Sequence, residues 1–219
     1  KTTLGRVLLR AIEPTNGKII FRAKPEEPVD ITSLPRQQLR EFRHHMQMVF
    51  QDPYSSLNPR MTVRDTIAEP LIVNGVAQRS EVDDRVRDIA RRCHLNLDYL
   101  QRYPHSFSGG QRQRVALARA LILQPEFVVC DEPVSALDVS IQAEILNLLQ
   151  ELQEEFGLTY LFIAHDLSVV EHMSNRVAVM YLGQLVELAP TQELYREPRH
   201  PYTEALMAAI PLADPAQVL

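Results

Sequence analysis

Cysteine is nearly absent from this chain: among 219 residues only Cys93 and Cys130 are cysteines. Two thiols so far apart build neither a disulfide framework nor a CxxC metal site. The expected setting is therefore reducing and cytoplasmic. Cys130 lies inside an apolar run and is expected to be a small core residue. The seven histidines show no zinc-ligand spacing. No apolar run approaches the ~20 residues of a membrane helix, and Arg6 and Arg10 interrupt what would be the apolar core of a signal peptide. Work at a membrane is expected to go through a partner. Positive charge is lacking too. The net charge is -5, which excludes the broad basic footprint of a nucleic-acid binder. The local basic clusters, Arg112-Gln113-Arg114 and Arg85 to Arg92, are expected to be solvated helix faces. There is no internal repeat and no low-complexity segment.

What remains is a chain that is 45% hydrophobic, long enough for one large domain or a domain with a subdomain. Short apolar runs alternate with helical periods, as in a layered α/β protein. Helices are predicted over Thr2 to Arg10, Pro35 to Phe42, Gly109 to Ile122 and Ile141 to Phe156. Strands are predicted over Lys18 to Phe21, Gln47 to Phe50, Phe127 to Cys130 and Thr159 to Ala164. Arg176 to Tyr181 and Gln184 to Leu188 read as a hairpin around Leu182-Gly183. The charged, Pro-rich segment Arg22 to Asp30 reads as a surface loop. Between Asp52 and Tyr103 strand signals vanish, and three helical stretches (Thr62 to Val73, Arg79 to Cys93, Leu97 to Arg102) predict an inserted helical subdomain. The tail, Thr191 to Ile210, is predicted as two short helices broken at Pro198 and Pro201.

Four places carry chemistry. Lys1-Thr2-Thr3 precedes an amphipathic helix, like the end of a GxxxxGK[ST] loop, where Lys reaches phosphate oxygens and the hydroxyl binds Mg²⁺. Phe127 to Glu132 is an apolar strand ending in two acids, Asp131 and Glu132. Such an Asp can hold Mg²⁺ directly or through water, and the adjacent Glu can orient or deprotonate an attacking water. Ser108-Gly109-Gly110-Gln111 opens a helix: Ser caps it, glycines admit close approach, and a helix N-terminus attracts phosphate. Gln51 and His165 each follow a buried strand, at the rim where open α/β sheets bind ligands.

Taken in order, these pieces resemble the nucleotide-binding domain of an ABC transporter over essentially the whole chain. The matches are the end of Walker A (Lys1-Thr2-Thr3), the Q-loop (Gln51), the signature (Ser108 to Gln111), Walker B (Phe127 to Glu132), the D-loop (Ser135 to Asp138) and the H-loop (His165). Three stretches are similar to the branch importing dipeptides, oligopeptides, glutathione or nickel: Met48 to Val63, Cys130 to Ile145, and His200 to Pro211. The resemblance implies a P-loop NTPase of α/β class. Its ATPase core would be 1–51 and 104–190, its helical subdomain 52–103 and its family-specific tail 191–219.

It also implies ATP and Mg²⁺ as ligands. Lys1, Thr2 and Thr3 would hold phosphate, with Thr2, Asp131 and Gln51 serving the metal. Glu132 would be the general base and His165 would stabilise the γ-phosphate. Ser108, Gly109, Gly110, Gln111 and Asp138 would bind ATP where two such domains face each other. The implied partners are a second ATPase subunit, two membrane permease subunits and, through them, an extracytoplasmic solute-binding protein, with no nucleic acid. The implied place is peripheral, on the cytoplasmic face of a bacterial inner membrane.

The chain departs from the family pattern at its start, where the Walker A glycines, the first strands and an adenine-stacking aromatic are expected upstream of Lys1. As given it is expected to bind ATP poorly. The 22–30 segment is longer than the usual turn, no cysteine follows Cys130 to hold an iron–sulfur cluster, and Phe107 stands where Leu is usual. Two alternatives stay open: a soluble ABC-class ATPase acting on the ribosome or DNA, and an inactive fragment.

Overall fold

A computed structural model describes residues 1–23, 27–78 and 80–209. The middle of the 22–30 loop, the expected helix start at Arg79 and residues 210–219 lie outside them. The chain divides into two compact units: Thr2–Ile163, and Ala164 onward together with Lys1.

The first unit opens with helix α1 (Thr2–Leu8), then two short strands, β1 (Ile20–Phe21) and β2 (Val29–Asp30), paired antiparallel. The predicted strand at Lys18 is thus only its last two residues, and the segment read wholly as loop ends in a strand. Helix α2 (Arg36–Phe42) and a 3₁₀ turn (Arg43–His45) lead into β3 (Met46–Val49). Every element described between β3 and Ser106 is helical: α3 (Pro53–Ser56), α4 (Val63–Asn74), α5 (Val82–Arg92) and two 3₁₀ turns, Leu97–Tyr99 and Pro104–Ser106. The stretch predicted as a helix to Arg102 is only the first of these turns. Helix α3 had no periodic signal: one turn long, it exists because Asp52 caps it, accepting from Tyr54 N at 2.8 Å, with Pro53 at its first position.

Helix α6 (Gly109–Leu121), β4 (Phe127–Asp131), α7 (Val139–Phe156) and β5 (Thr159–Ile163) complete the unit. Strands β3, β4 and β5 form a parallel sheet in that order, with Val49 opposite Cys130 and Asp131 opposite Ile163. A parallel strand covered on both faces reads as a continuous apolar run, and β4 is buried from Val128 to Asp131. On one face Leu9, Ile31, Met46, Val129 and Ile163 form a core, with Phe21, Phe42 and Phe127 packed against it. Cys93 and Cys130 are fully buried. Burial pushes both thiols up to about 12, so they are protonated packing groups, as expected of Cys130.

Helix α1 runs against the direction of β4, and Gly5 sets their spacing. A Cβ on Gly5 would lie 2.9 Å from Val129 Cγ1 and 3.4 Å from Ile163 Cδ1. One helical turn back, Thr2 reaches Asp131, two residues further along the strand. The backbone steps are about 4.5 Å along the helix and about 6.6 Å along the strand. Gly5→Val is therefore expected to cost about 1–3 kcal/mol through overpacking and to lower the thermal unfolding midpoint. An unchanged melting curve would show that α1 does not sit this close.

In the second unit, helix α8 (Leu167–Met173) leads to the hairpin β6 (Arg176–Tyr181) and β7 (Gln184–Pro190), turning at Leu182-Gly183 as predicted. Helix α8, missed from sequence, is capped by Asp166, which accepts from Ser168 N at 2.9 Å. Helices α9 (Thr191–Arg196) and α10 (Pro201–Ala208) follow; Leu194 packs with Val177 and Val179 of β6. Pro201 starts the second helix rather than breaking it, because its missing N–H and fixed φ suit a first turn. Among the described residues no helix is long and apolar enough to cross a membrane.

Candidate functional site

The carboxyl ends of the parallel strands gather the polar residues of the first unit. Asp131, the last residue of β4, is only 2% exposed. Its Oδ1 accepts from Thr2 Oγ1 at 3.0 Å. That separation is close to the edge of an octahedron with Mg–O bonds of about 2.1 Å, which puts neighbouring ligands roughly 3 Å apart. A carboxylate is costly to bury unless it is paired, and hard oxygens such as these are the donors Mg²⁺ prefers. The residues present fit that ion. No cluster of three or more His, Cys, Asp or Glu stands ready to hold a metal among the described residues; a site of this kind draws its other ligands from substrate phosphate and water.

Glu132 follows with φ +49°, a left-handed conformation unusual for a non-glycine residue and costing about 1–3 kcal/mol. The neighbours hold it there. Its N–H donates to Ile163 O at 2.9 Å, and its carbonyl accepts from Ser135 N and Ser135 Oγ at 3.3 and 3.1 Å. Backbone held in such strain clusters at functional sites. The side chain turns toward the next strand end: Glu132 Oε2 accepts from Gln51 Nε2 at 3.0 Å. Four sequence-predicted site residues are thus brought together as two pairs, Thr2 with Asp131 and Gln51 with Glu132.

Ser108 and Gln111 bond to each other. Ser108 Oγ accepts from Gln111 N at 3.3 Å, and Gln111 Oε1 accepts from Ser108 N at 3.0 Å, a complete capping box at the start of α6. The glycines between them have a packing reason beyond ligand approach. A Cβ on Gly110 would meet Ile141 Cγ2 at 2.5 Å, and one on Gly109 would meet Leu137 Cδ2 at 3.0 Å. Thr3 lies within α1. Asp138 is the N-cap residue of α7 but its side chain does not cap. Gln142, one turn into α7, donates from Nε2 to Val134 O and Leu137 O, both at 3.0 Å, and so fixes the turn between Glu132 and Asp138. It lies in the Cys130 to Ile145 stretch, but nothing in the sequence had singled it out as a site residue. In the second unit, Lys1 Nζ donates to Ala164 O at 2.8 Å, and His165 follows Ala164.

One expectation fails. Arg112 and Gln113 are not on a solvated face: Arg112 is 8% exposed and Gln113 is fully buried. Arg112 is held by carbonyls, with Nε donating to Pro104 O at 2.7 Å and Nη2 to His105 O at 3.2 Å. Arg114, the other basic residue of that cluster, pairs with Glu144 at 2.9 Å. Charge composition had hidden this, because an arginine looks alike on a surface and beneath a turn.

Asp131→Asn keeps the size of the side chain and its acceptor for Thr2 while removing the charge. It is expected to weaken Mg²⁺-dependent nucleotide binding by about tenfold or more, read by titration with and without Mg²⁺. Unchanged Mg²⁺ dependence would take Asp131 out of the metal site.

A parallel sheet that carries a hydroxyl, a buried Asp and a strained Glu at its carboxyl rim has the α/β architecture of the P-loop class. The comparisons narrow that class. Residues 1–135 match the family model "ABC transporter", and residues 186–218 match "Oligopeptide/dipeptide transporter, C-terminal region". The chain belongs to the ABC transporter family.

It is 54% identical over 216 residues to the oligopeptide transport ATP-binding protein OppF of Bacillus subtilis (strain 168), covering 98% of this chain and 70% of that protein. AppF of the same organism, also an oligopeptide transport ATP-binding protein, is 52% identical over 213 residues, 97% of this chain and 63% of AppF. The chain thus spans about two thirds of these curated relatives' length. Among solved structures, cbiO1 from Clostridium perfringens, part of the ABC transporter complex cbiONQ, superposes with a TM-score of 0.76 at 29% identity, covering 90% of this chain and 74% of that one. The ATP-binding cassette MJ0796, a dimer in a post-hydrolysis state bound to ADP and Pi, gives 0.74 at 27% identity, covering 87% and 80%.

Proposed function

We propose that this chain is the ATP-binding and ATP-hydrolysing part of a subunit that energises an ABC importer for peptides or related small solutes. The observation that carries this reading is the pair of contacts at the sheet's carboxyl rim, Thr2 with Asp131 and Gln51 with Glu132. The names of the relatives support the solute class. In this reading Thr2 and Asp131 would hold Mg²⁺, which when bound would neutralise phosphate charge. Gln51 would orient the metal or the attacking water, and Glu132 would take the proton of that water as its oxygen bonds the γ-phosphorus and the bond from that phosphorus to the β–γ bridging oxygen breaks, releasing ADP. Such catalysis is mostly positioning and charge stabilisation. Lys1, Thr3 and His165 enter as phosphate-binding residues through the family resemblance alone.

We further propose that the signature turn, Ser108 to Gln111, together with Asp138, serves the nucleotide of a facing second ATPase subunit. The wholly helical stretch after β3 supports a helical subdomain over 52–103 within a core of 1–51 and 104–190, and 191–219 is read as the family tail. Docking of the permease is read onto the region from Tyr54 to Val73. Tyr54, Ile72 and Val73 are each more than half exposed, and a groove of about 490 Å³ lies alongside, lined by Met48, Phe50, Pro70, Ala116 and Arg119 among others. Such a subunit sits on the cytoplasmic face of the membrane, with the solute-binding protein on the far side.

The test is ATP hydrolysis by the full-length subunit with and without its permease pair, and separately with ribosomes and with DNA. Stimulation by the permease and peptide-loaded binding protein is expected. Stimulation by ribosomes or DNA instead would favour a soluble ATPase of the same class.

A further inference from the structure

Buried Arg112 belongs to no role described so far. It sits one turn into α6, and its guanidinium reaches in two directions. On one side it donates to the carbonyls of Pro104 and His105, the turn that leads into Ser108. On the other, its Cζ lies 3.8 Å from the centroid of the Tyr54 ring, the close stacking geometry of a cation over an aromatic face. Tyr54 lies in α3, immediately after Gln51 and the capping Asp52.

A second arginine grips the other end of α3. Arg119, seven residues on from Arg112 and so on the same helix face, donates from Nη1 to Ser56 O at 3.0 Å and from Nη2 to Glu69 Oε2 at 2.8 Å. The one-turn helix after Gln51 is thus fastened to α6 at both ends. Gln51 itself bonds Glu132. A continuous chain of contacts therefore runs from Glu132 through Gln51, Asp52 and Tyr54 to Arg112 and the turn that presents Ser108.

We propose that Arg112 is a positioning residue, which through its stack on Tyr54 ties the placement of the signature turn to the state of Gln51 at the hydrolytic carboxylate. The inference rests on the proposed ATPase reading. When Gln51 shifts with the γ-phosphate or the attacking water, α3 shifts with it, and Arg112 carries that shift to the Pro104–Ser108 turn. Arginine suits the task, because its planar fork can bond two carbonyls while its face lies on a ring. The side chain touches no substrate in this scheme; it acts through the Ser108 turn.

The clean variant is at Tyr54, not Arg112. Losing Arg112 would also strip two buried carbonyls of their donor and could unfold the turn. Tyr54 is 62% exposed, so Tyr54→Ala removes the stack and leaves Arg112's hydrogen bonds in place, whereas Tyr54→Phe keeps an aromatic face. The assay is steady-state ATP hydrolysis by the full-length subunit without permease, so that docking does not contribute. Tyr54→Ala is expected to lower kcat by about two- to fivefold, the strength of one partly exposed stack, with KM and the melting temperature unchanged. Tyr54→Phe is expected to recover most of that loss. Equal kcat for Tyr54→Ala and wild type would overturn the proposal. So would a parallel change in KM and melting temperature, which would make the contact merely structural. A wild-type subunit that fails to hydrolyse ATP even with its ATPase partner and permease pair would instead sink the ATPase reading beneath it.

Discussion

Replacing Glu132 with glutamine in the full-length subunit is expected to slow ATP hydrolysis by about 100- to 10,000-fold, the usual contribution of a positioned general base, with ATP affinity retained. The substitution isolates the chemistry. Glutamine matches glutamate in size, and its amide oxygen still accepts from Gln51 Nε2, which bonds Glu132 Oε2 at 3.0 Å. The backbone bonds to Ile163 and Ser135 that hold Glu132 at φ +49° do not involve the side chain. What disappears is the capacity to take a proton from water. Steady-state hydrolysis near the wild-type rate would remove Glu132 from that role and leave its strained backbone unexplained.

The second large effect concerns which subunit each motif serves. If Asp131 and Glu132 act on the chain's own nucleotide and Ser108 on the partner's, two disabling changes should behave differently in cis and in trans. Consider dimers of two differently tagged full-length copies. With Ser108→Arg in one copy and Glu132→Gln in the other, both changes fall in one composite site and the second site is intact, so hydrolysis persists. With both changes in one copy and none in the other, each site carries one lesion, and hydrolysis falls to background. Ser108 is a better target than Gly110, where any Cβ would press on Ile141. Losing the Ser108 cap costs about 0.5–2 kcal/mol, small beside the about 5–15 kcal/mol that stabilises a typical domain. Equal rates in the two arrangements would contradict the division of labour.

Much of this was legible in the residues. The buried strand from Phe127 to Cys130, the N-cap at Ser108 and the hairpin around Leu182-Gly183 follow from periodicity and turn chemistry, which are local. The strand-end positions of Asp131 and Gln51 followed too, because a parallel sheet delivers its strand ends to one rim. What escaped was set by tertiary contact. Helix α3 is too short to show a period. Gln142 is an ordinary helix residue until its amide is seen bridging two loop carbonyls. Arg112 looked like a surface charge because sequence does not show that two carbonyls and a tyrosine ring await it. The glycines of the signature were legible as glycines, but Ile141 and Leu137, their packing reasons, lie about thirty residues away.

In the proposed function, ATP hydrolysis at this site drives solute across a membrane. The direct measurement is uptake of a labelled oligopeptide into proteoliposomes carrying the full-length subunit, its ATPase partner and the permease pair, with the solute-binding protein outside and MgATP sealed inside. Accumulation above the outside concentration is expected, lost when Glu132→Gln replaces the wild-type subunit. Accumulation that is the same with the glutamine variant, or without ATP, would contradict that function.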